Sequence, residues 1–312
     1  MVDVLYAIAV APFKDMAGSP AFLVEVLLGG LFAGLMYSLV ALGFVLIFKA
    51  SGVFNFAQGV MVLFAALTLV GLMERGVPVP VALVLTTGVM ILLAFAIERA
   101  VLRPLINQEH IILFMATIGL TFFLEGFGEM IWGANVKKLD VGIPDRSFIL
   151  RGVQINQLEM IAAVTAAILV TVLAVFFQRT RIGRALRAVA DDHEAALSLG
   201  IPLKTIWVVV WSVAGLVAIV AGIMWGAKSG VQFSLSLIAL KALPVLILGG
   251  FTSVPGAIVG GLIIGVGEKI GEVYWGPLVG GAIENWFAYV LALAFLLFRP
   301  QGLFGEQIIE RV

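Results

Sequence analysis

Residues 51–73, 77–97, 160–177 and 205–227 of this chain contain no charged side chain. Each run approaches the roughly 20 apolar residues that carry a helix across the hydrocarbon core of a bilayer. Further apolar tracts cover 21–48, broken only by Glu25, then 110–132, 229–267 with the lone Lys241, and 285–298. Lipid offers no hydrogen-bond partner to a backbone amide, so a chain built this way spans as helices whose backbone bonds close internally. Composition agrees: 62% of the 312 residues are hydrophobic, only 12% are charged, and mean hydropathy is +1.15. A soluble domain carries about 25% charged residues. The expected fold class is all-α, a polytopic transmembrane helical bundle of eight or nine segments in one domain over residues 21–306. Residues 1–20 form an N-terminal lead-in or short interfacial helix; with no basic n-region they do not read as a cleaved signal peptide. Residues 307–312 are a C-terminal tail.

Several chemistries are excluded early. There is no cysteine, so there is no disulfide, thiol nucleophile or Cys-bound metal. The two histidines, His110 and His193, are too few for a metal site or an imidazole proton relay. Formal net charge is zero, and no nucleic-acid partner is expected. No nucleophile–base or metal constellation suggests a membrane-embedded enzyme.

Basic residues near helix ends set orientation. Arg179, Arg181, Arg184, Arg187 and Lys204 share one short loop, which places residues 179–204 in the cytoplasm. Counting crossings from there puts Lys49, Arg99, Arg103 and the C-terminus inside and residues 137–157 outside.

The cytoplasmic loop reads "RIGRALRAVADDHEAALSLGIP" over 181–202. Leu186, Val189, Ala190, His193 and Leu197 recur at helical spacing, with Arg184, Arg187, Asp191 and Asp192 around the rest. Arg187 and Asp191 stand at i, i+4, and Gly200 followed by Pro202 marks a stop. Two readings stand: a connector whose apolar face rests on the bilayer, or a docking helix over 181–201 for a cytoplasmic partner.

Two interruptions complete the pattern, "FNFAQG" at 54–59 and "LGGFTSVPGAIVGG" at 248–261. The second either splits its tract into two helices or bends one. Non-helical backbone at membrane depth survives only inside protein or beside a water-filled path. Paired interrupted segments in two halves suggest an internal duplication with a transport path nearby. Asn55 and Gln58 offer hydrogen bonds without a buried charge, and Phe56, Gly59 and Thr117 are expected close to the same path. Thr252 and Ser253 are expected beside the path at the second break, where Ser253 also suits a helix cap with Pro255 just inside. Close helix packing is the competing reading, since Gly256/Gly260 and Gly261/Gly265 have small-xxx-small spacing. Lys241 either faces the bundle interior, paired with an acid or near the path, or snorkels to the outer interface. Glu268, Lys269 and Glu272 read as a helix-end cluster, and Glu125 with Glu129 as an exposed rim.

Glu194, Ala195 and Ala196 followed by Gly200 resemble the EAA-x-x-x-G core by which ABC-importer permeases dock their ATPases; the distal "LP" element is missing. More of the chain resembles one family. "GLMYSLVALGFVLIFKASGVFNFAQG" (34–59), "ATIGL" (116–120), "GRALRAVADDHEAALSLGI" (183–201), "LGGFTSVPGAIVGGLIIGVGE" (248–268) and "RPQGLFGE" (299–306) occur in this order. Together they resemble the branched-chain amino acid importer permeases of the LivH type. Where many relatives carry histidine in the "NFAHG" block, this chain has Gln58, a neutral amide.

The resemblance implies a permease subunit of a bacterial inner-membrane ABC importer, with half of a pathway for branched-chain or related small amino acids. The implied partners are a second homologous permease, two cytoplasmic ATP-binding subunits carrying ATP and Mg, and a soluble substrate-binding protein outside. No G-x-x-x-x-G-K-[ST] occurs here, so hydrolysis belongs to the partners and no cofactor is expected on this chain. By the same resemblance, Arg184, Arg187, Asp191, Asp192, Glu194, Ala195, Ala196 and Gly200 carry ATPase coupling. Urea, short amides and small carboxylic acids are alternative cargo. A stand-alone secondary transporter or channel for a small polar solute is the alternative class, although the span centres lack the acid or histidine of a proton-coupled carrier.

Overall fold

The computed structural model describes residues 6, 8–105, 108–191, 196, 198–283 and 286–305. Among the described residues, six helices are long and apolar enough to cross a membrane, and three shorter apolar helices accompany them. A short α1 (Ala11–Gly18) precedes α2 (Pro20–Ser51). At 32 residues and 1.5 Å per residue, α2 is about 48 Å long, well beyond the hydrocarbon thickness. Helix α3 (Gln58–Glu74) is buried on every side from Gln58 to Gly71, so its all-round apolar sequence marks it as the centre of the bundle. Helix α4 (Val79–Ile97) runs on through a π turn, Glu98–Leu102, into Arg103–Leu105. Arg103 grips the buried Glu98 there with two hydrogen bonds, at 3.2 and 3.0 Å. Helix α5 (His110–Trp132) follows.

A two-stranded antiparallel hairpin then interrupts the otherwise all-helical bundle that the composition leads one to expect. Strands β1 (Ser147–Leu150) and β2 (Val153–Asn156) meet at Arg151 and Gly152, both with positive φ, at 52° and 85°. That is the geometry that matches a tight turn to the right-handed twist of a hairpin. Asn156 caps α6 (Gln157–Arg179), and the Gln154 N–H donates to Glu25 at 3.1 Å, tying the hairpin to α2.

Helix α7 (Arg181–Asp191) and α8 (Leu203–Ser229) follow. Leu186, Val189 and Ala196 are buried in the main apolar core, so the apolar face of this loop rests on protein rather than on lipid. Gly200, at φ +77°, ends the segment as its spacing predicts. Asp192, His193, Glu194, Ala195 and Leu197 lie outside the described residues.

The last apolar third divides into two helices at the second interruption: α9 (Ile238–Gly249), entered through a 3-10 turn at Phe233–Leu237, and α10 (Val254–Ile270). A π turn (Gly271–Trp275) and α11 (Gly276–Val279) extend α10, and α12 (Phe287–Phe298) completes the bundle. Beyond it, Leu303 and Phe304 donate their N–H groups to the carbonyls of Leu248 and Gly249, at 2.8 and 3.2 Å. The "RPQGLFGE" block thus supplies donors to the backbone that the break leaves open.

Helices α2 and α10 cross through glycine. A Cβ on Gly34 would sit 2.6 Å from the Gly261 carbonyl oxygen, and one on Gly265 would sit 2.4 Å from the Gly34 nitrogen. Only backbone-to-backbone approach fits that space. The two glycines flanking the second break pack similarly, a Cβ on Gly249 falling 2.2 Å from the Gly256 oxygen.

Candidate functional site

The residues singled out in the sequence gather in three places. The first is the interruption between α2 and α3. Asn55 is wholly buried, and its Oδ1 accepts the Ala57 N–H at 3.1 Å, closing a local turn ahead of α3. The Phe56 N–H donates to Thr117 Oγ1 at 3.1 Å, and that hydroxyl donates to the Phe114 carbonyl at 2.8 Å. Gln58 donates to the Ala214 carbonyl at 3.4 Å, while its buried Oε1 has no donor among the described residues. Gly59 leaves space for the 3-10 turn before α9, because a Cβ there would lie 2.0 Å from the Ser236 oxygen. These amides and hydroxyls satisfy the broken backbone from within. Asn55→Leu removes one acceptor and leaves the buried Ala57 N–H unsatisfied, at a cost of about 1–3 kcal/mol. Uptake is expected to fall about tenfold while membrane insertion persists. Normal uptake by a normally inserted variant rejects a role for Asn55 in the path.

Aromatic rings join this break to the other. Phe54 stacks on Phe44 at 4.8 Å and meets Phe251 edge-on at 6.3 Å, and Phe251 also lies 5.6 Å from Phe48. A mostly apolar cavity of about 280 Å³ opens beside Phe54 and Phe56, with the half-buried Glu125 on its wall; Glu129 is exposed.

The second place holds Thr252 and Ser253. Ser253 Oγ accepts the Gly256 N–H at 3.0 Å and caps α10, as its position before Pro255 suggests. Both residues line a cavity of about 220 Å³ together with Lys49, Gly183, Arg187 and Phe304. Arg187 donates to the carbonyls of Phe177 at 2.7 Å and Gln178 at 3.5 Å, the exposed end of α6. A guanidinium at a helix C-terminus satisfies orphan carbonyls and matches the helix dipole. Helix α7 is thereby fixed between the end of α6 and the second break. Arg184 remains exposed on its outer side.

The third place corrects the reading of Glu268. It is not part of an exposed helix-end cluster. Only 5% of its side chain is exposed, and it pairs with Lys241 at 2.7 Å. Tyr37 donates its hydroxyl to the same carboxylate oxygen at 3.2 Å. Lys241 therefore takes the interior reading rather than snorkelling. The pair lines a cavity of about 460 Å³ with Tyr37, Trp225, Glu159 and Lys228; Glu159 and Lys228 form a second ion pair at 2.7 Å. Spacing on α10 carries a signal for this. Gly261, Gly265 and Glu268 fall at i, i+4 and i+7, on one face, so the carboxylate shares the face that packs on α2. Gly30, Gly34 and Tyr37 repeat that spacing on α2.

A bundle of apolar spans, two interruptions held by internal hydrogen bonds, and a charged cavity between helices define a multi-pass membrane transport protein. Over residues 26–299 the chain matches the family described as branched-chain amino acid transport system / permease component, and it belongs to that family. The high-affinity branched-chain amino acid transport system permease protein BraD of Pseudomonas aeruginosa is 30% identical over 301 residues, covering 92% of this chain and 97% of BraD. The permease protein LivH of Escherichia coli K12 is 25% identical over 313 residues, covering 93% and 98%. A fructose import permease protein, FruG of Bifidobacterium longum, is 26% identical over 250 residues, covering 75% and 70%. Among solved structures, PsaBC from Streptococcus pneumoniae in complex with Fab aligns with a TM-score of 0.46 at 13% identity, over 88% of this chain and 90% of that one. The chain is thus a permease component of an inner-membrane ABC transport system, which works with an ATPase and a binding protein carried on other chains.

Proposed function

We propose that this chain forms half of the pathway of an importer for leucine, isoleucine, valine or similarly small amino acids, working by alternating access. The substrate class is supported by relatives such as BraD and LivH that match almost end to end. Nine crossings fit the six long and three short apolar helices among the described residues, with the interrupted pairs α2–α3 and α9–α10 as the two halves of a duplication. The positive-inside bias sets the end carrying α7 in the cytoplasm and the hairpin outside. The assembly comprises a second homologous permease, two ATP-binding subunits holding ATP and Mg, and a soluble receptor on the outside.

The observation that carries the coupling reading is the seating of α7. Arg187 ties it to α6, and the cavity it shares with Thr252 and Ser253 joins it to the second break. Movement of an ATPase against residues 181–201 would reach α10 and, through Phe251, the first break. Arg184, Asp191, Asp192, Glu194, Ala195, Ala196 and Gly200 make up the rest of that docking segment. The test is ATP-driven uptake of labelled leucine by the full complex in proteoliposomes, with and without Gly200→Val. A β-branched residue at φ +77° is strained by about 1–3 kcal/mol. Receptor-stimulated ATP hydrolysis is expected to drop about tenfold while the chain still inserts. Undiminished stimulation by Gly200→Val would remove the coupling role. Uptake independent of ATP would favour a secondary carrier.

A further inference from the structure

We propose that the cavity between α2, α8, α9 and α10 is a binding site within this single chain for a free α-amino acid held as its zwitterion. The inference rests on the importer reading and adds a place where the solute is held apart from any passage between two permeases.

The cavity, about 460 Å³, falls in the ~300–1,000 Å³ range of small-molecule sites. Its charges come as opposed pairs: Lys241 with Glu268 deep inside, Lys228 with Glu159 nearer the mouth, both at 2.7 Å. A buried ion pair is rarely the most stable filling for a helix bundle, and apolar side chains would serve α9 and α10 equally well. Ionisable groups kept inside a membrane bundle mark solute or ion pathways. The pairing also selects the ligand. A carboxylate alone would engage the ammonium and strand Glu268; an amine alone would do the reverse. A zwitterion brings both charges and leaves the site's net charge unchanged, so one internal pair is exchanged for two pairs with the ligand.

The surroundings fit such a solute. Tyr37 bonds the Glu268 oxygen and stacks on Trp225 at 5.8 Å with 15° between the rings, which fixes the carboxylate. Trp225 lines the cavity with its ring, and Lys228 lies over that ring at 5.8 Å, so the second ammonium is held at the cavity wall. Phe32, Ala33, Met36 and Ile238 give an apolar wall for a branched side chain. Lys269 at the rim adds positive potential where the solute arrives.

This chain carries no native cysteine, so labelling read on its own band reports an introduced thiol alone. Ala33→Cys places one thiol on the wall of the cavity in the full complex, without receptor, in nanodiscs. Its reaction with a charged methanethiosulfonate is timed with and without leucine, 4-methylpentanoate (no ammonium) and 3-methylbutylamine (no carboxylate). Leucine at about ten times its Kd is expected to slow labelling about tenfold, with neither analogue protecting and Glu268→Gln abolishing the protection. Ile149→Cys, exposed on the hairpin, should label at one rate throughout. Ser234→Cys, an exposed position on the same cavity, repeats the test independently. Equal labelling of both cavity thiols with and without leucine overturns the proposal, as does failure of both to react at all; equal protection by either analogue overturns the zwitterion assignment. ATP-driven leucine uptake by the same preparation, with receptor added, separates the two ideas. Uptake without protection sinks this site alone, and no uptake by the parent complex sinks the importer reading.

Discussion

Gly265→Leu is expected to prevent the bundle from assembling. The first added carbon would lie 2.4 Å from the Gly34 nitrogen and 2.5 Å from the Gly30 oxygen, both backbone atoms of α2 that no rotamer change can move. The remaining three carbons of leucine would need α2 and α10 to separate along their whole crossing. Overpacking a tight site ordinarily costs about 1–3 kcal/mol. Here the obstacle is main chain, so a loss beyond about 3 kcal/mol is expected, with little monodisperse protein in detergent. Gly29→Ala is the matched control, because its Cβ meets only the flexible Lys269 side chain, at 3.6 Å. Size-exclusion profiles and thermal midpoints of the two variants decide the matter. A Gly265→Leu protein that elutes and melts like the parent contradicts this packing.

Lys241→Met should be nearly as damaging, for an electrostatic reason. It takes the cation from a carboxylate that is 95% buried, since 5% of the Glu268 side chain is exposed. Breaking one side of a buried pair costs roughly 3–5 kcal/mol, much of it the desolvation of the charge left behind. Lys241 is itself 23% exposed, and water reaching it places the expectation at the lower end of that range. The double variant Lys241→Met/Glu268→Gln is expected to recover most of the stability, because no lone charge remains, and yet to transport poorly. Thermal melting of both variants and the parent forms the cycle. Additive losses in the double variant would show that the two side chains do not act together.

Much of this architecture can be read from residue order. Uncharged tracts become spans because backbone amides in lipid have no other recourse. Ser253 before Pro255 starts α10, and Gly200 ends the loop segment, since both signals act within a few residues. Non-local pairings are harder to see. Lys241 and Glu268 lie 27 positions apart on successive helices, and the neighbouring Lys269 and Glu272 make Glu268 look like part of an interfacial cluster. The face shared with Gly261 and Gly265 was the better guide. The hairpin is hard to read from sequence because each strand is only four residues: Val153 and Ile155 alternate with Gln154 and Asn156, too short a run to set a period of two apart from a loop. Nor does local sequence reveal that residues 303–304 return to bond the backbone of the second break. Of the candidate residues, Asn55, Phe56, Gln58, Gly59 and Thr117 gather at one break, while Thr252 and Ser253 lie beside Arg187. One predicted path thus resolves into three adjoining regions of the bundle.

This chain is expected to move solute only as part of an ATP-driven complex engaged through residues 181–201. Affinity purification of the tagged chain from native membranes in mild detergent, with co-purifying chains identified by mass spectrometry, tests it most directly. An ATP-binding subunit and a second permease are expected with the parent chain, and the ATP-binding subunit is expected to be lost from a Glu194→Ala/Gly200→Val variant that still inserts. A chain that purifies alone and carries leucine across liposomes unaided would contradict it.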